Sequence, residues 1–182
     1  ARAGPRALRA KGSAILALTA GEPDFPTPDH VIEAAYAAMR RGETRYTNTE
    51  GTPELKRAVQ DKVRRENGLD YRLGEIIVSA GAKQAIFNAL MATLATGDEV
   101  IVPAPFWASY PEMVRIAEGE AVTVSRPQNN GFKLQPEGLE AAVTPRTKWL
   151  LLNSPSNPCG AVYSAAELAA LAEVLRRHPH VR

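Results

Sequence analysis

From residue 75 onward, short apolar runs rich in β-branched residues alternate with longer segments of helical period. The runs at 75–79, 99–102, 121–125 and 148–153 read as strands, and the segments at 81–94, 110–117, 136–143 and 164–177 read as helices. The resulting order, βαβαβαβα, predicts an α/β fold: a mostly parallel sheet with helices on both faces, because apolar strands separated by helices must be covered on both sides. Short-range signals support the helix limits. Ser164 with Glu167 forms a capping box. Thr52 and Pro53 open a helix that ends at Asn67-Gly68, and Thr27 caps one that has Pro28 at its first position and stops at Gly42. The loop 21–28 contains Pro23, Pro26 and Pro28, which remove backbone donors and exclude helix or central strand. A basic stretch reads as a helix ending at Gly12, and 15–18 is a short apolar run. The different texture of the beginning predicts two parts: 1–50, a small-domain or arm segment, and 51–182, the first portion of a larger domain.

Composition narrows the class. The chain has 182 residues, 22 Lys and Arg against 20 Asp and Glu, and 45% hydrophobic residues, which excludes an intrinsically disordered chain. With 13 Gly and 14 Pro it is neither collagen-like nor low-complexity. A net charge of +2 is too balanced to argue for nucleic acid. One cysteine, Cys159, allows no internal disulfide and points to a reducing, cytoplasmic compartment. No apolar run approaches the ~20 residues of a membrane span, so no membrane is expected as a partner. Arg2, Arg6, Arg9 and Lys11 precede any acid, a pattern shared by transit peptides and by the basic end of a helix. The first residue is not Met, so the natural start is expected upstream.

In an open parallel sheet, ligands bind outside the carboxyl ends of the strands. Three such ends carry unusual residues. Ser79-Ala80-Gly81-Ala82-Lys83 places small residues and free N–H groups at a helix start, a seat for an anion such as phosphate; many strand-to-helix turns are equally Gly/Ala-rich. Pro105-Phe106-Trp107-Ala108-Ser109-Tyr110 offers a flat apolar platform for a planar ring, or ordinary core aromatics. Asn153-Ser154-Pro155-Ser156-Asn157-Pro158-Cys159-Gly160 follows a buried strand and holds two amides at its end; a structural turn explains Pro158 and Gly160 better than it explains the Asn pair. Together they suit a phosphorylated aromatic cofactor. His30, His178 and His180 are given no role. No His neighbours Cys159 in sequence, so it is read as a turn residue, not a nucleophile.

These motifs, with Ala20-Gly21-Glu22-Pro23-Asp24-Phe25 and with Tyr46-Thr47 followed by Gly51, resemble the class I/II aminotransferases, pyridoxal-phosphate enzymes of fold type I. The similarity is greatest to the bacterial aspartate/prephenate type, and it runs through the whole chain in order. The resemblance implies pyridoxal 5'-phosphate as cofactor and an active site shared between the subunits of a homodimer. It implies that the backbone of Gly81, Ala82 and Lys83 holds the phosphate, that Trp107 stacks on the pyridine ring and touches substrate, and that Asn157 bonds the ring's 3-oxygen and the substrate carboxylate. Tyr46 would reach the phosphate in the neighbouring subunit, and Gly21 would meet substrate through its backbone. Lys83 is a candidate for the distal carboxylate of an acidic substrate. Read without the family, Tyr46 is a surface aromatic, Gly21 a loop-shaping residue and Lys83 a solvated side chain, although a lysine in a helix's first turn opposes the dipole and so favours a nearby anion. Cys159 stands where the family has Thr or Ser.

The resemblance also implies groups outside this sequence: a Schiff-base lysine beyond Arg182, an Asp for the pyridine nitrogen, a Tyr, and an Arg for the α-carboxylate. No catalytic lysine is therefore assigned within the chain, which alone would be inactive, and a fragment of a protein about twice as long is expected. The first strand, 75–79, would then lack a neighbour among the four strands present. The expected activity of the complete protein is transfer of an amino group between an acidic amino acid, aspartate favoured, and a 2-oxo acid such as 2-oxoglutarate. The alternatives are a prephenate or aromatic aminotransferase, another pyridoxal-phosphate reaction such as β-elimination, a non-catalytic effector-sensing domain of the same fold, and a truncated, catalytically dead binding module.

Overall fold

The computed structural model describes residues 5–12, 14, 21 and 23–182. Its contacts divide the chain into two units, Ala1–Asn48 and Thr49–Arg182. In the first unit, helix α1 (Pro5–Ala10) closes at Gly12, whose φ is +80°. The apolar run at 15–18 lies outside the described residues. Loop 21–28 forms neither helix nor strand in its described part. Helix α2 (Asp29–Arg40) begins one residue later than the sequence predicts. Pro28, not Thr27, is the N-cap, and its carbonyl accepts from Val31 and Ile32 at 2.9 and 3.2 Å while no side chain caps the turn. The pyrrolidine fixes φ near the helical value, but Pro28 keeps ψ at 140°, so helix geometry starts at Asp29.

In the second unit, helix α3 (Pro53–Asn67) has the expected ends: Thr52 Oγ1 accepts from the Leu55 N–H at 3.3 Å, and Gly68 closes in the left-handed region at φ +66°. A 3₁₀ turn at Leu73–Glu75 follows. The predicted strand at 75–79 is a correction: residues 76–79 are not in the sheet. Ile76 is extended, at φ −117° and ψ 125°, but an extended chain becomes a strand only with a partner. The contact it does make is local, Val78 N–H to Glu50 O at 3.0 Å. Gly51 stands beside it at φ +102°, where a Cβ would lie 2.7 Å from Val78 Cγ2.

Helix α4 (Ala82–Thr93), strand β1 (Glu99–Ala104), helix α5 (Ser109–Ile116), strand β2 (Glu120–Ser125), helix α6 (Pro136–Ala142), strand β3 (Thr147–Leu150) and helix α7 (Ala165–Arg177) complete the unit. The sheet is parallel, in the order β2-β1-β3. Glu99 pairs with Glu120 and Ala104 with Ser125; on the other side Val100 pairs with Trp149 and Ile101 with Leu150. Side-chain alternation along β1 builds two cores. Val100 and Val102 face Leu90 on α4, Met113 and Val114 on α5, and Ala117 just after it. Ile101 faces Leu134, Leu139, Tyr163, Leu171 and Val174, on α6, α7 and their loops. Both faces are covered, as a parallel sheet requires.

β3 is shorter than predicted, because beyond Leu150 only the Leu151 N–H continues the ladder, to Ile101 O at 3.0 Å. Its far edge is bracketed by Arg182, which donates to Lys148 O and accepts from Leu150 N–H at 2.8 and 2.9 Å. At the amino end of β1 the Glu99 carboxylate is buried and accepts from Thr144 Oγ1, Thr147 Oγ1 and Arg146. Burial pushes its pKa up, but those three donors outweigh burial and hold it below the ordinary value.

Candidate active site

The loops at the carboxyl ends of β1 and β3, and the turn that opens α4, carry the residues singled out above. At Ser79-Ala80-Gly81 the chain folds tightly: the Gly81 N–H reaches Ser79 O at 2.8 Å, and Gln84 Oε1 accepts from the Ala80 N–H at 2.6 Å. Gly81 is the N-cap at φ +90°, a conformation that side chains disfavour, and no side chain caps the helix. The first-turn N–H groups of Ala82, Lys83 and Gln84 therefore have no intrahelical acceptor, and there is no acid in that turn. This is a cradle for an anion.

Lys83 Nζ sits 4.7 Å from the centroid of Trp107. The Trp107 ring is half-buried against the Val100 core and meets Tyr110 edge-on, 5.4 Å between centroids at 90°. The loop after β1 thus holds a ring in place with one cation on it. Burial raises the pKa of the Tyr110 hydroxyl, so it stays neutral at physiological pH.

The turn 153–160 separates its two asparagines. Asn153 Oδ1 accepts from the Asn157 N–H at 2.7 Å and is used by the turn itself. Asn157 is exposed, and its side-chain amide has no hydrogen bond among the described residues. Ser156 is buried, donating its N–H to Ala161 O at 2.9 Å and accepting from Gly160 N–H at 2.7 Å. Burial pushes the Cys159 thiol up, but hydrogen bonding with Ser156 and with the Ala161 main chain, together with the Arg126 charge, brings it below its usual value.

Sequence reasoning missed Arg126, the residue after β2. It is only 4% exposed. Its N–H donates to Ala104 O at 2.7 Å, and its Nη2 donates to both Pro105 O and Ser156 Oγ, the latter at 3.2 Å. A single arginine in a loop reads as a solvated charge; only the fold reveals that it is enclosed.

The structure thus brings Lys83 onto Trp107 and ties the Trp107 loop to the Asn157 turn through Arg126. Gly21 and Tyr46 belong to the first unit; Gly21 is exposed with open space where a Cβ would point, and Tyr46 is fully exposed. Donors at a helix start, a fixed aromatic face and an exposed amide fit a phosphorylated aromatic ring.

Comparison with known proteins bears on the same residues. The family model described as aminotransferase class I and II matches residues 13–182. An aspartate aminotransferase of Rhizobium meliloti (strain 1021) is 58% identical over 175 residues, covering 96% of this chain and 43% of its own length. An aspartate/prephenate aminotransferase of Cereibacter sphaeroides is 57% identical over 176 residues, with 97% and 44% covered. The structure of the Thermus thermophilus aspartate aminotransferase with maleate superposes with a TM-score of 0.90 at 53% identity, covering 94% of this chain and 45% of that one. The chain spans less than half the length of the relatives it matches.

Proposed function

This chain belongs to the class I and II aminotransferases, which have fold type I and use pyridoxal 5'-phosphate, and from that premise we propose that the complete protein transfers an amino group between aspartate and a 2-oxo acid, 2-oxoglutarate being the favoured acceptor. The observation that carries this reading is the Lys83 ammonium on the face of Trp107, beside the uncapped, donor-rich start of α4.

When bound, the cofactor supplies an electron sink for the negative charge that develops at the substrate's α-carbon. This chain's residues bind and orient. The Gly81 backbone and the free N–H groups of Ala82 and Lys83 would hold the phosphate, where the helix dipole favours negative charge. Trp107 covers one face of the ring and excludes water from it. The exposed Asn157 amide would hold the ring's 3-oxygen and the substrate carboxylate. Lys83 pairs with the distal carboxylate, and Gly21 meets substrate through its backbone. Maleate in the Thermus relative is itself a dicarboxylate, which supports an acidic substrate. Tyr46, fully exposed, would be given to the phosphate of a second subunit, so the protein would be a homodimer with shared sites. The lysine that moves the α-proton lies in the part of the protein outside this chain, as do the Asp, Tyr and Arg. The single cysteine supports a cytoplasmic location.

The test is product analysis of the full-length protein with aspartate and 2-oxoglutarate. Glutamate and oxaloacetate are expected; fumarate and ammonia with no glutamate would mean elimination and would sink the proposal. Lys83→Met is expected to raise KM for aspartate by roughly ten-fold or more, the worth of one charge-assisted contact, with a smaller effect on kcat. The Cereibacter relative's double name favours prephenate as a second acceptor, checked by substituting it for 2-oxoglutarate.

A further inference from the structure

We propose that Arg126 is a positioning residue that sets the Trp107 ring against the Asn157 amide. The proposal rests on the function given above and deepens it. Arg126 leaves β2 at the point where the sheet ends, and its N–H carries the β1–β2 ladder one step further, to Ala104 O. Its guanidinium then crosses to two loops that share no strand. One Nη2 donates to the carbonyl of Pro105, two residues before Trp107, and to Ser156 Oγ, the residue before Asn157. Ser156 is itself buried and fixed through its N–H and carbonyl, so the arginine grips a rigid point.

This is a costly way to build a scaffold. The side chain is enclosed, yet among the described residues no carboxylate lies within ion-pair distance of it, and its Nε has no hydrogen-bond partner. An enclosed cation without a counter-charge is costly unless its surroundings compensate. Two neutral acceptors on the ring-holding and amide-holding loops are what it obtains in return. The two N–H bonds of the planar Nη2 group meet both at fixed geometry, which an ammonium on a flexible stem does less well.

The experiment uses the full-length protein and its variants Arg126→Met, Arg126→Lys, Ser156→Ala and the Arg126→Met/Ser156→Ala double variant. It reads the cofactor dissociation constant and the visible circular dichroism per bound cofactor, which reports how the ring is held. Arg126→Met is expected to weaken cofactor binding by roughly ten- to a hundred-fold, the worth of one charge-assisted hydrogen bond, and to alter the dichroism of the cofactor that remains bound. Arg126→Lys should recover part of both. Ser156→Ala should shift both in the same direction, and the double variant should lose no more than Arg126→Met alone, because the two residues form one link. Wild-type affinity and dichroism in a folded Arg126→Met would overturn the proposal, as would strictly additive losses. If Arg126→Met does not fold, unchanged affinity and dichroism in both Ser156→Ala and Arg126→Lys overturn it in the same way. A wild-type protein that takes up no cofactor would refute the proposed function itself, and this inference with it.

Discussion

Two acids show how individual residues tie this fold to pH. Glu99 is buried and Glu167 half-buried, yet both are held below the ordinary carboxylate value of 4.5. For Glu99 the donors overcome burial; for Glu167, Lys133 and the Ser164 cap bring it to about 2. A group whose folded pKa is depressed stabilises the fold above its unfolded value, and that stability is lost as pH falls towards the folded one. Denaturant unfolding of the full-length protein should therefore weaken between about pH 4.5 and about pH 2, and Glu167→Gln should flatten that slope. Stability of the variant that still falls with the wild-type slope would contradict the assignment. Glu99→Gln should cost ~1–3 kcal/mol at neutral pH, because it leaves buried donors poorly paired. Gly51 makes a different demand. At φ +102° and with Val78 where a Cβ would stand, Gly51→Ala should destabilise by ~1–3 kcal/mol and loosen the segment leading to Gly81, seen as a lower melting temperature and weaker cofactor uptake.

At the level of elements, what the sequence made legible was local. Both ends of α3 and the start of α7 follow from residues within one turn of them: Thr52, Pro53 and Gly68, and Ser164 with Glu167. Ser164→Ala should cost about 1 kcal/mol, measurable by thermal unfolding. The βα alternation and the three candidate turns were equally visible, because apolar runs and Gly, Pro and Asn clusters write themselves into short windows. Pairing did not. The apolar run at 75–79 has the residues of a strand, and that it lacks a strand neighbour here followed only from the resemblance; Arg126 looks like any loop cation until β1, β2 and the 153–160 turn enclose it. Asn153 and Asn157 could not be told apart until the turn used one and left the other. Hydrogen exchange should reflect this division, with the β1 amides the slowest and those of 76–79 far faster, since the first are paired on both sides and the second hardly at all. Comparable protection of the two segments in the 182-residue chain would refute it.

At the scale of the whole molecule, the second unit has apolar surface in excess of what its own elements cover. Ile77 is 73% exposed and Ile116 61%. Ala85, Ile86, Ala89, Leu90, Trp149 and Leu151 line an apolar cavity of about 260 Å³. The edge of β3 beyond Arg182's two hydrogen bonds and the run at 76–79 both offer unpaired backbone. The 182-residue chain produced alone should therefore aggregate or bind a hydrophobic dye strongly, as light scattering and dye fluorescence would record. A soluble monomer with one cooperative thermal transition would count against this. The placement of the two tryptophans has an optical consequence. Trp149 is tied by its indole N–H to Thr93 Oγ1 at 2.9 Å, away from the candidate site, while Trp107 lies within it under the Lys83 ammonium. The chain thus carries two emitters in unlike settings, one built as a probe and one as a reference. Titration with the ring should quench the first far more than the second, and replacing either by Phe would assign the light to its source.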